Sequence, residues 1–483
     1  MRVRASICCP AAGILAGAML LASGCAMQSY DPRPLDAATS AQSFAARTTE
    51  APELQRYMLT HGHPESDWPV QRWGLTQLTL LAFYYHPDLK VARAEAVVAK
   101  AETAVAIQLP PLGVSPQVQH HSLQPADMTS PWSVGVGVEI PIVAPSRREA
   151  VRDRYRDLSD AASLRVGATA WQVRAHVRDR LLDLYAAQAS GERLEAEAAA
   201  RRELVRLLER RLERGAASSA EVTEARVRLA QLEVELQTVR SSGEQRRAEL
   251  AQAVGLPLEA VRPLELDFAV FERTVPAPDV EQMQRSALLN RLDVRAKLLE
   301  YAAEDAAVKL EIARQYPSFT LTPGYLWDQG DNIWSLAANI VLPPALGNRA
   351  GIQAAEARRE LAAQQFLQLQ TKAISDADTA RTRYLAAAGG VERGAALVEL
   401  ERRRRERARK QFDAGYADRV ELASVELESA AALRLALGLQ LEAQRTLSRL
   451  EDALQIPLIG GPQPEAAELS SATTARADEP SHR

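Results

Sequence analysis

The polar and apolar positions of this chain follow two different periods. Residues 132–142 alternate, with Val and Ile at the even positions from Val134 to Ile142 and small or polar residues between them. A period of two predicts a β-strand with one apolar face. Residues 222–239 instead place apolar side chains three and four apart, which predicts a helix with a coiled-coil seam. The seam positions are Val222, Ala225, Leu229, Leu232, Leu236 and Val239.

These patterns predict a mainly α chain with a small β part. A helix is expected from about 75 to 108, broken at His86-Pro87 because proline does not allow the preceding turn to continue. Two strands follow within about 113–142, and then a helical hairpin over about 147–254. Further strands are expected within about 318–343, followed by a helical hairpin over about 348–454.

The two halves of the chain resemble each other at a nearly constant offset. The stretch 211–222 (RLERGAASSAEV) has a near-copy at 411–422 (QFDAGYADRVEL), so Gly215 and Gly415 are 415 − 215 = 200 residues apart. We therefore predict a duplicated unit of helix, β-hairpin and long helical hairpin, at 73–260 and 281–458. An extended segment at 25–72, a linker at 261–280 and a disordered tail at 459–483 complete the predicted organisation.

Each matched stretch reads as the tip of a helical hairpin. Gly215 and Gly415 suit the left-handed residue that follows the end of a helix. Ser218 with Glu221, and Asp418 with Glu421, have the spacing of a capping box at the start of the next helix. This structural role accounts for the pattern without any further function.

The N-terminus predicts a targeting segment. A basic start and an apolar stretch at 11–22 indicate a signal peptide over 1–24. The run LASGC that ends at Cys25 resembles a bacterial lipobox, which implies a fatty acyl group such as palmitate on Cys25 and, with Ala26 next, an outer-membrane location. The alternative is an ordinary signal peptide with Cys25 incidental. Cys8 and Cys9 lie inside the signal, so the mature chain has no disulfide framework.

Composition and motifs argue against several classes of protein. A net charge of −4 provides no electrostatic footprint for nucleic acid. Phosphate loops, nucleophile elbows and paired-carboxylate sites are not recognisable, so we expect neither an enzyme nor a cofactor. The pairs His61/His63 and His120/His121 read as loop histidines rather than metal ligands. The basic run 402–405 reads as a solvated helix face paired with neighbouring acids.

The predicted strands leave two settings open. Strands of about 10 residues suit a tilted membrane crossing. Four strands cannot close a barrel, however, and an open edge in lipid leaves unpaired backbone groups. Either several copies of the chain share one barrel, or the hairpins cap a soluble helical body. The second reading gains weight because the first strand is rather polar for lipid, with Gln117, Gln119, His120 and His121.

The order of segments and the tip pattern Gly-x-x-Ser/Asp-x-x-Glu-Val/Leu resemble the TolC-like outer-membrane efflux proteins, in particular their lipoprotein subgroup. The resemblance covers about 75–458. It implies a homotrimer whose twelve-stranded outer-membrane β-barrel continues as an α-helical periplasmic tunnel. It also implies an exit duct of a tripartite efflux system, which works with a periplasmic adaptor and an inner-membrane pump on drugs, toxic compounds or metal cations. The alternatives are a type I secretion duct and a membrane-anchored helical scaffold.

The same resemblance implies a role for the tips as periplasmic gate and adaptor-docking site. The residues concerned are Gly215, Ser218, Glu221, Glu224, Gly415, Asp418, Glu421 and Ser424. The family pattern has acidic residues six and nine positions after the second glycine. Glu421 keeps this carboxylate and Ser424 departs from it, whereas the first tip carries acids at both positions.

Overall fold

The computed structural model describes residues 30–460 except 123–128, 274, 277–278, 280–284, 286–288 and 344–346. The predicted signal peptide with Cys25, and the tail from 461 onward, lie outside the described residues. The chain divides into two compact units, residues 1–46 and 47–483. In the first unit, helix α1 (Ala37–Ala45) begins where an Asp36 carboxylate oxygen accepts a hydrogen bond from the Thr39 N–H at 2.8 Å.

The prediction of an extended segment over 25–72 is wrong for its described part. Besides α1, this region contains helix α2 (Pro52–Thr60) and a 3₁₀ turn at Glu65–Asp67. Proline suits the first position of α2, where its missing N–H is not needed. Leu54 and Met58, four residues apart, face inward and are fully buried. The helix forms because this short apolar pair docks onto a core.

The second unit contains long helices and one sheet, as the sequence predicts. The break at His86-Pro87 is confirmed, with proline at the start of the second helix. The elements in chain order are α3 (Leu75–Tyr85), α4 (Pro87–Ala106), β1 (Gly113–His120), β2 (Trp132–Ile142), α5 (Pro145–Glu213), α6 (Ser219–Val254), α7 (Leu258–Val261), a 3₁₀ turn (Ala269–Phe271), α8 (Leu292–Ala313), β3 (Ser318–Asp328), β4 (Asp331–Val341), α9 (Arg349–Asp413) and α10 (Arg419–Leu454). That these elements arose by duplication remains a prediction.

All four strands belong to one antiparallel sheet in the order β1-β2-β3-β4. β2 and β3, which come from different hairpins, pair directly, with Val136 opposite Tyr325 and Ile142 opposite Phe319. The sheet therefore joins the two halves of the chain. The helices α5 and α9 start from the same end of the sheet, immediately after β2 and β4.

The arms α5 and α9 contain 69 and 65 residues. At a rise of 1.5 Å per residue each arm is about 100 Å long. None of the described helices combines the length and the apolar character needed to cross a membrane.

The main hydrophobic core surrounds α3. Leu78, Leu81 and Phe83 are fully buried there, against Val177 and Leu181 of α5. The described part of the predicted linker belongs to this core, since Val261 and Phe271 are also fully buried. The predicted tail boundary is also displaced: Ile459 is 5% exposed, so ordered packing continues past residue 458.

The two helical hairpins pack through different seams. On α6 the predicted seam residues Val222, Leu232 and Leu236 are buried. On α10 the buried positions include Ser429 and Ala432, which are smaller. A Cβ added at Gly394 of α9 would lie 2.9 Å from Leu439, so α9 and α10 approach closely at this level.

A buried ionic network joins α5 to the end of α10. Arg174, Arg178 and Glu451 have fully buried side chains. Glu451 Oε1 lies 2.6 Å from Arg174 Nη2, and Glu451 Oε2 lies 3.1 Å from Arg178 Nη1. Arg174 also donates to the carbonyl oxygens of Ile459 at 2.8 Å and Gly460 at 3.1 Å. Arg178 also pairs with Asp179 at 3.0 Å and Asp452 at 2.7 Å, whereas Glu451 is the only carboxylate paired with Arg174 among the described residues.

We expect Glu451→Gln to destabilise the protein by about 3–5 kcal/mol, because it leaves buried guanidinium charge without its counter-charge. Thermal unfolding followed by circular dichroism measures the effect as a lower midpoint. Glu442→Gln is the matched control, since Glu442 lies exposed on the same helix. Equal midpoints for the two variants would show that the network contributes nothing to stability.

Candidate functional site: the sheet faces and the helical tips

One face of the sheet is almost entirely apolar. Side chains directly opposite each other in an antiparallel pair point to the same face. Val136 lies opposite Pro116 of β1 and Tyr325 of β3, and Tyr325 lies opposite Trp334 of β4. The same register places two polar residues on this face, His120 opposite Trp132 and Asn332 opposite Trp327. Its apolar members are Val114, Pro116, Val118, Trp132, Val134, Val136, Val138, Ile140, Ile142, Phe319, Leu321, Pro323, Tyr325, Trp327, Trp334, Leu336, Ala338 and Ile340.

The opposite face is mostly polar or small. Gly137 lies opposite Ser115 and Gly324, and Gly324 lies opposite Ser335. This face also carries Gln117, Gln119, Ser133, Gly135, Glu139, Ser318, Thr320, Thr322, Asp328, Asp331, Asn339 and the apolar exceptions Pro141, Leu326, Ile333, Ala337 and Val341. The glutamines that made β1 look too polar for lipid therefore all point away from the apolar face.

The apolar face is exposed in the single chain. Trp334 is 80% exposed and Leu336 is 72% exposed. An apolar surface that covers a whole sheet needs a partner, either protein or lipid. Aromatic residues gather at the end next to the β3–β4 turn, where the rings of Tyr325 and Trp334 lie 4.9 Å apart. Trp and Tyr are enriched at membrane–water interfaces.

The histidines near this end of the sheet are engaged in protein contacts. His121 Nε2 lies 2.9 Å from the Ser133 hydroxyl and 3.3 Å from Asp328 Oδ1, and the Ser133 hydroxyl donates to Asp328. The His120 ring packs edge-on against Trp132 at 4.5 Å. In the part of the chain that the structure describes, no group of three His, Cys, Asp or Glu side chains is placed to hold a metal ion.

Both tips turn through a left-handed glycine. Gly215 has φ +72° and Gly415 has φ +79°, values that favour glycine. A Cβ at either position would meet nothing within 4 Å, so backbone conformation alone selects the residue. At the first tip, the Ala216 N–H donates to the Arg211 carbonyl oxygen at 2.8 Å, which closes the last turn of α5.

The return helices are capped by Ser218 and Asp418, as predicted. Ser218 Oγ accepts from the Glu221 N–H at 3.1 Å, and Asp418 Oδ1 accepts from the Glu421 N–H at 2.9 Å. The prediction of a complete capping box is wrong: among the described contacts, neither glutamate side chain bonds back to its cap N–H. Asp418 therefore caps α10 without help, and the Glu421 carboxylate is exposed with no ion pair or hydrogen bond in the described structure.

Among the other tip acids, Asp418 and Glu224 have partners, whereas the exposed Glu221 carboxylate, like that of Glu421, has no ion pair or hydrogen bond in the described structure. Asp418 forms an ion pair with Arg211, which links the second tip to the end of the first arm. The backbone hydrogen bond from the Glu421 N–H, together with Arg211, holds the pKa of the Asp418 carboxyl below its usual range. Glu224 pairs with Arg228 one turn along α6. Ser424 donates its hydroxyl to the Val420 carbonyl oxygen at 2.9 Å, so it remains within its own helix.

The basic run 402–405 is paired largely as predicted. Arg402 contacts Glu399 at 2.8 Å and also Glu406, and Arg404 contacts Glu401 at 3.6 Å. Hydrogen bonds from Arg402 and Arg403 lower the pKa of Glu399 to about 2. The sequence analysis missed the Arg211–Asp418 pair between the tips. Its only sequence signal is the difference between Arg211 and its counterpart Gln411.

Comparisons with known proteins agree with this architecture. Residues 82–256 match the family model described as outer membrane efflux protein. The structure of the outer membrane protein VceC from Vibrio cholerae aligns at 21% identity and TM-score 0.63, covering 79% of this chain and 95% of that chain. The open-state MtrE outer membrane channel of Neisseria gonorrhoeae aligns at 18% identity and TM-score 0.62, with coverages of 80% and 89%.

The CmeC outer membrane channel of Campylobacter jejuni aligns at 15% identity and TM-score 0.63, covering 85% of this chain and 90% of that chain. No curated protein matches the chain. Identities in this range show a shared fold. Together with the matched segment, they confirm that this chain, mainly helical with a small sheet, is similar to the TolC-like outer membrane efflux proteins.

Proposed function

We propose that the chain is a subunit of a homotrimeric exit duct in the bacterial outer membrane. The observation that carries the proposal is the sheet with one apolar and one polar face. Such a sheet suits a wall between lipid and water. β2 has 11 residues, which at 3.3 Å per residue give a strand of about 36 Å. A strand of this length crosses the hydrocarbon layer at a tilt.

The unpaired edges of the sheet favour a barrel that is shared by several copies of the chain. β1 and β4 each pair on one side only within the described chain. In lipid, an unpaired edge costs several kcal/mol for each unsatisfied backbone group, so the edges need further strands. Three copies joined β4 to β1 would supply 3 × 4 = 12 strands and leave no edge. The arms of the three copies would then continue the wall as a periplasmic helical tunnel.

Conduction through this tunnel would end at the tips. Three copies of the exposed Glu421 carboxylate around one axis would form a ring of like charge that attracts cations. Gly215, Ser218, Glu221, Glu224, Gly415, Asp418 and Ser424 would shape the surrounding gate and the surface that receives a periplasmic adaptor. An inner-membrane pump would supply the energy and select the cargo of small molecules, such as drugs, toxic compounds or metal cations. The MtrE and CmeC proteins, whose folds this chain resembles, are outer membrane channels, which favours this function over a non-conducting scaffold.

Cys25 would anchor each copy in the inner leaflet through its acyl groups, because the run that ends at Cys25 resembles a lipobox. A type I secretion duct would use the same architecture with a different pump. Among these possibilities, the tripartite efflux duct is the proposed function. A set of three experiments tests its separate parts.

Adjacent residues of β4 test which sheet face meets lipid. Leu336→Arg places a charge on the apolar face and should cost about 2–4 kcal/mol per chain on folding into a bilayer. Ser335→Arg places the same charge on the polar face and should fold into liposomes as the wild type does. Folding yield is measured by resistance to protease and by migration on gels without heating. Equal yields for the two variants would refute the assignment of faces.

Planar-bilayer recording tests conduction. The purified protein should cross-link as a trimer and produce discrete conductance steps that favour cations. Glu421→Gln should reduce this cation preference, and the difference should shrink in 1 M salt, where the Debye length falls to about 3 Å. Glu102→Gln, which removes an exposed carboxylate on α4, is the control. A trimer without conductance, in both the wild type and tip variants, would leave the scaffold as the better function.

Metabolic labelling with a radioactive fatty acid tests the anchor. Cys25→Ala should abolish incorporation, because no other cysteine follows the predicted signal peptide. Cys9→Ala, which changes a cysteine inside the signal, should leave labelling unchanged. Label that persists in Cys25→Ala would exclude Cys25 as the acylated residue without affecting the duct itself.

A further inference from the structure

A cavity of about 370 Å³ lies where the sheet meets the helices. Its walls come from the ends of α4 and α8, the end of β2, the start of β3 and the first two turns of α5. Apolar side chains such as Ile107, Ile142 and Phe319 form one part of the lining. Arg147, Arg148 and Arg152 form another.

The cavity carries uncompensated positive charge. Its lining contains these three guanidinium groups and no carboxylate. In the described structure, none of the three arginines has an ion pair. Two other arginines on the same arm have carboxylate partners: Arg154 lies 3.7 Å from Glu304, and Arg165 pairs with Glu300. The three guanidinium groups at the cavity are therefore not engaged by any carboxylate of the described chain.

The apolar side of the cavity continues the apolar face of the sheet. Ile142 and Phe319 lie opposite each other at the helix-proximal end of β2 and β3. They remain 46% and 42% exposed. Within one cavity, the lining thus changes from apolar side chains near the sheet to guanidinium groups near the helices. A phospholipid has the same order of groups, with acyl chains followed by a phosphate.

We propose that this cavity binds a phospholipid, with its phosphate on Arg147, Arg148 and Arg152 and an acyl chain along Ile142 and Phe319. The inference rests on the proposed function, because only a membrane-inserted sheet brings the cavity to a headgroup. Guanidinium groups suit the ligand, since their planar fork donates two parallel hydrogen bonds to phosphate oxygens. The lipid would belong to the periplasmic leaflet, on the side of the helices.

Native mass spectrometry of the full-length protein tests the site with dioleoyl-phosphatidylglycerol as the probe. The triple variant Arg147→Gln, Arg148→Gln, Arg152→Gln should retain about a hundredfold less of this lipid, each arginine near a membrane surface contributing about fivefold. The double variant Arg405→Gln, Arg407→Gln removes exposed arginines near the second tip and should retain it as the wild type does. Equal retention in the triple variant and the wild type would overturn the proposal.

Two further measurements on the wild-type protein do not depend on the folding of any variant. Dioleoylglycerol has the same acyl chains without the phosphate and should be retained far less than the phosphatidylglycerol. Inorganic phosphate should not displace the bound lipid at equal concentration, because it lacks the acyl contact. Equal retention of the two lipids, or full displacement by inorganic phosphate, would refute a phospholipid site.

Conductance of the same preparation separates the two proposals. Conducting trimers that show no preference for the phosphate-bearing lipid would overturn the lipid site and leave the duct intact. A chain that does not enter bilayers at all would overturn both.

Discussion

The pairing of β2 with β3 is the constraint on which the rest of the architecture depends. Ile142 and Ser318 are 318 − 142 = 176 residues apart in the chain, yet their strands are neighbours in the sheet. A slip of one residue would move every side chain of one hairpin to the other face. The observed register instead aligns the Val and Ile positions of β2 with Phe319, Leu321 and Tyr325 of β3. A single apolar surface, and a common starting level for both arms, follow from this alignment.

The sequence predicted what depends on local pattern. The alternation in residues 132–142, the glycines at the tips and the break at Pro87 each have a local physical cause, and each appears in the structure where expected. The assignment of Gln117 and Gln119 to the polar face needed the pairing of β1 with β2, which no single segment encodes. The same holds for the Arg211–Asp418 pair, which joins residues 207 apart.

The N-terminal helices and the buried linker could not be predicted from local pattern, because their structure depends on tertiary packing. The helix at Pro52–Thr60 has 9 residues, too few for a clear apolar period, and a helix of that length is marginal in water without tertiary support. Its support comes from the core around α3. Phe271 likewise looks like a residue of a proline-rich connection, yet it is buried in the same core, with its ring centroid 6.0 Å from that of Tyr185 on α5.

The strands have a composition that affects the chain before its subunits assemble. Neither 113–142 nor 318–343 contains a lysine or an arginine, the residues that commonly protect exposed strand edges from indiscriminate pairing. The edge strand β4 therefore has no lysine or arginine to prevent pairing with other strands. Its exposed side chains include Trp334 and Leu336. For the proposed duct, we expect the unassembled subunit to depend on another protein that covers this edge. The lifetime of the unassembled subunit would then govern how much protein reaches its destination.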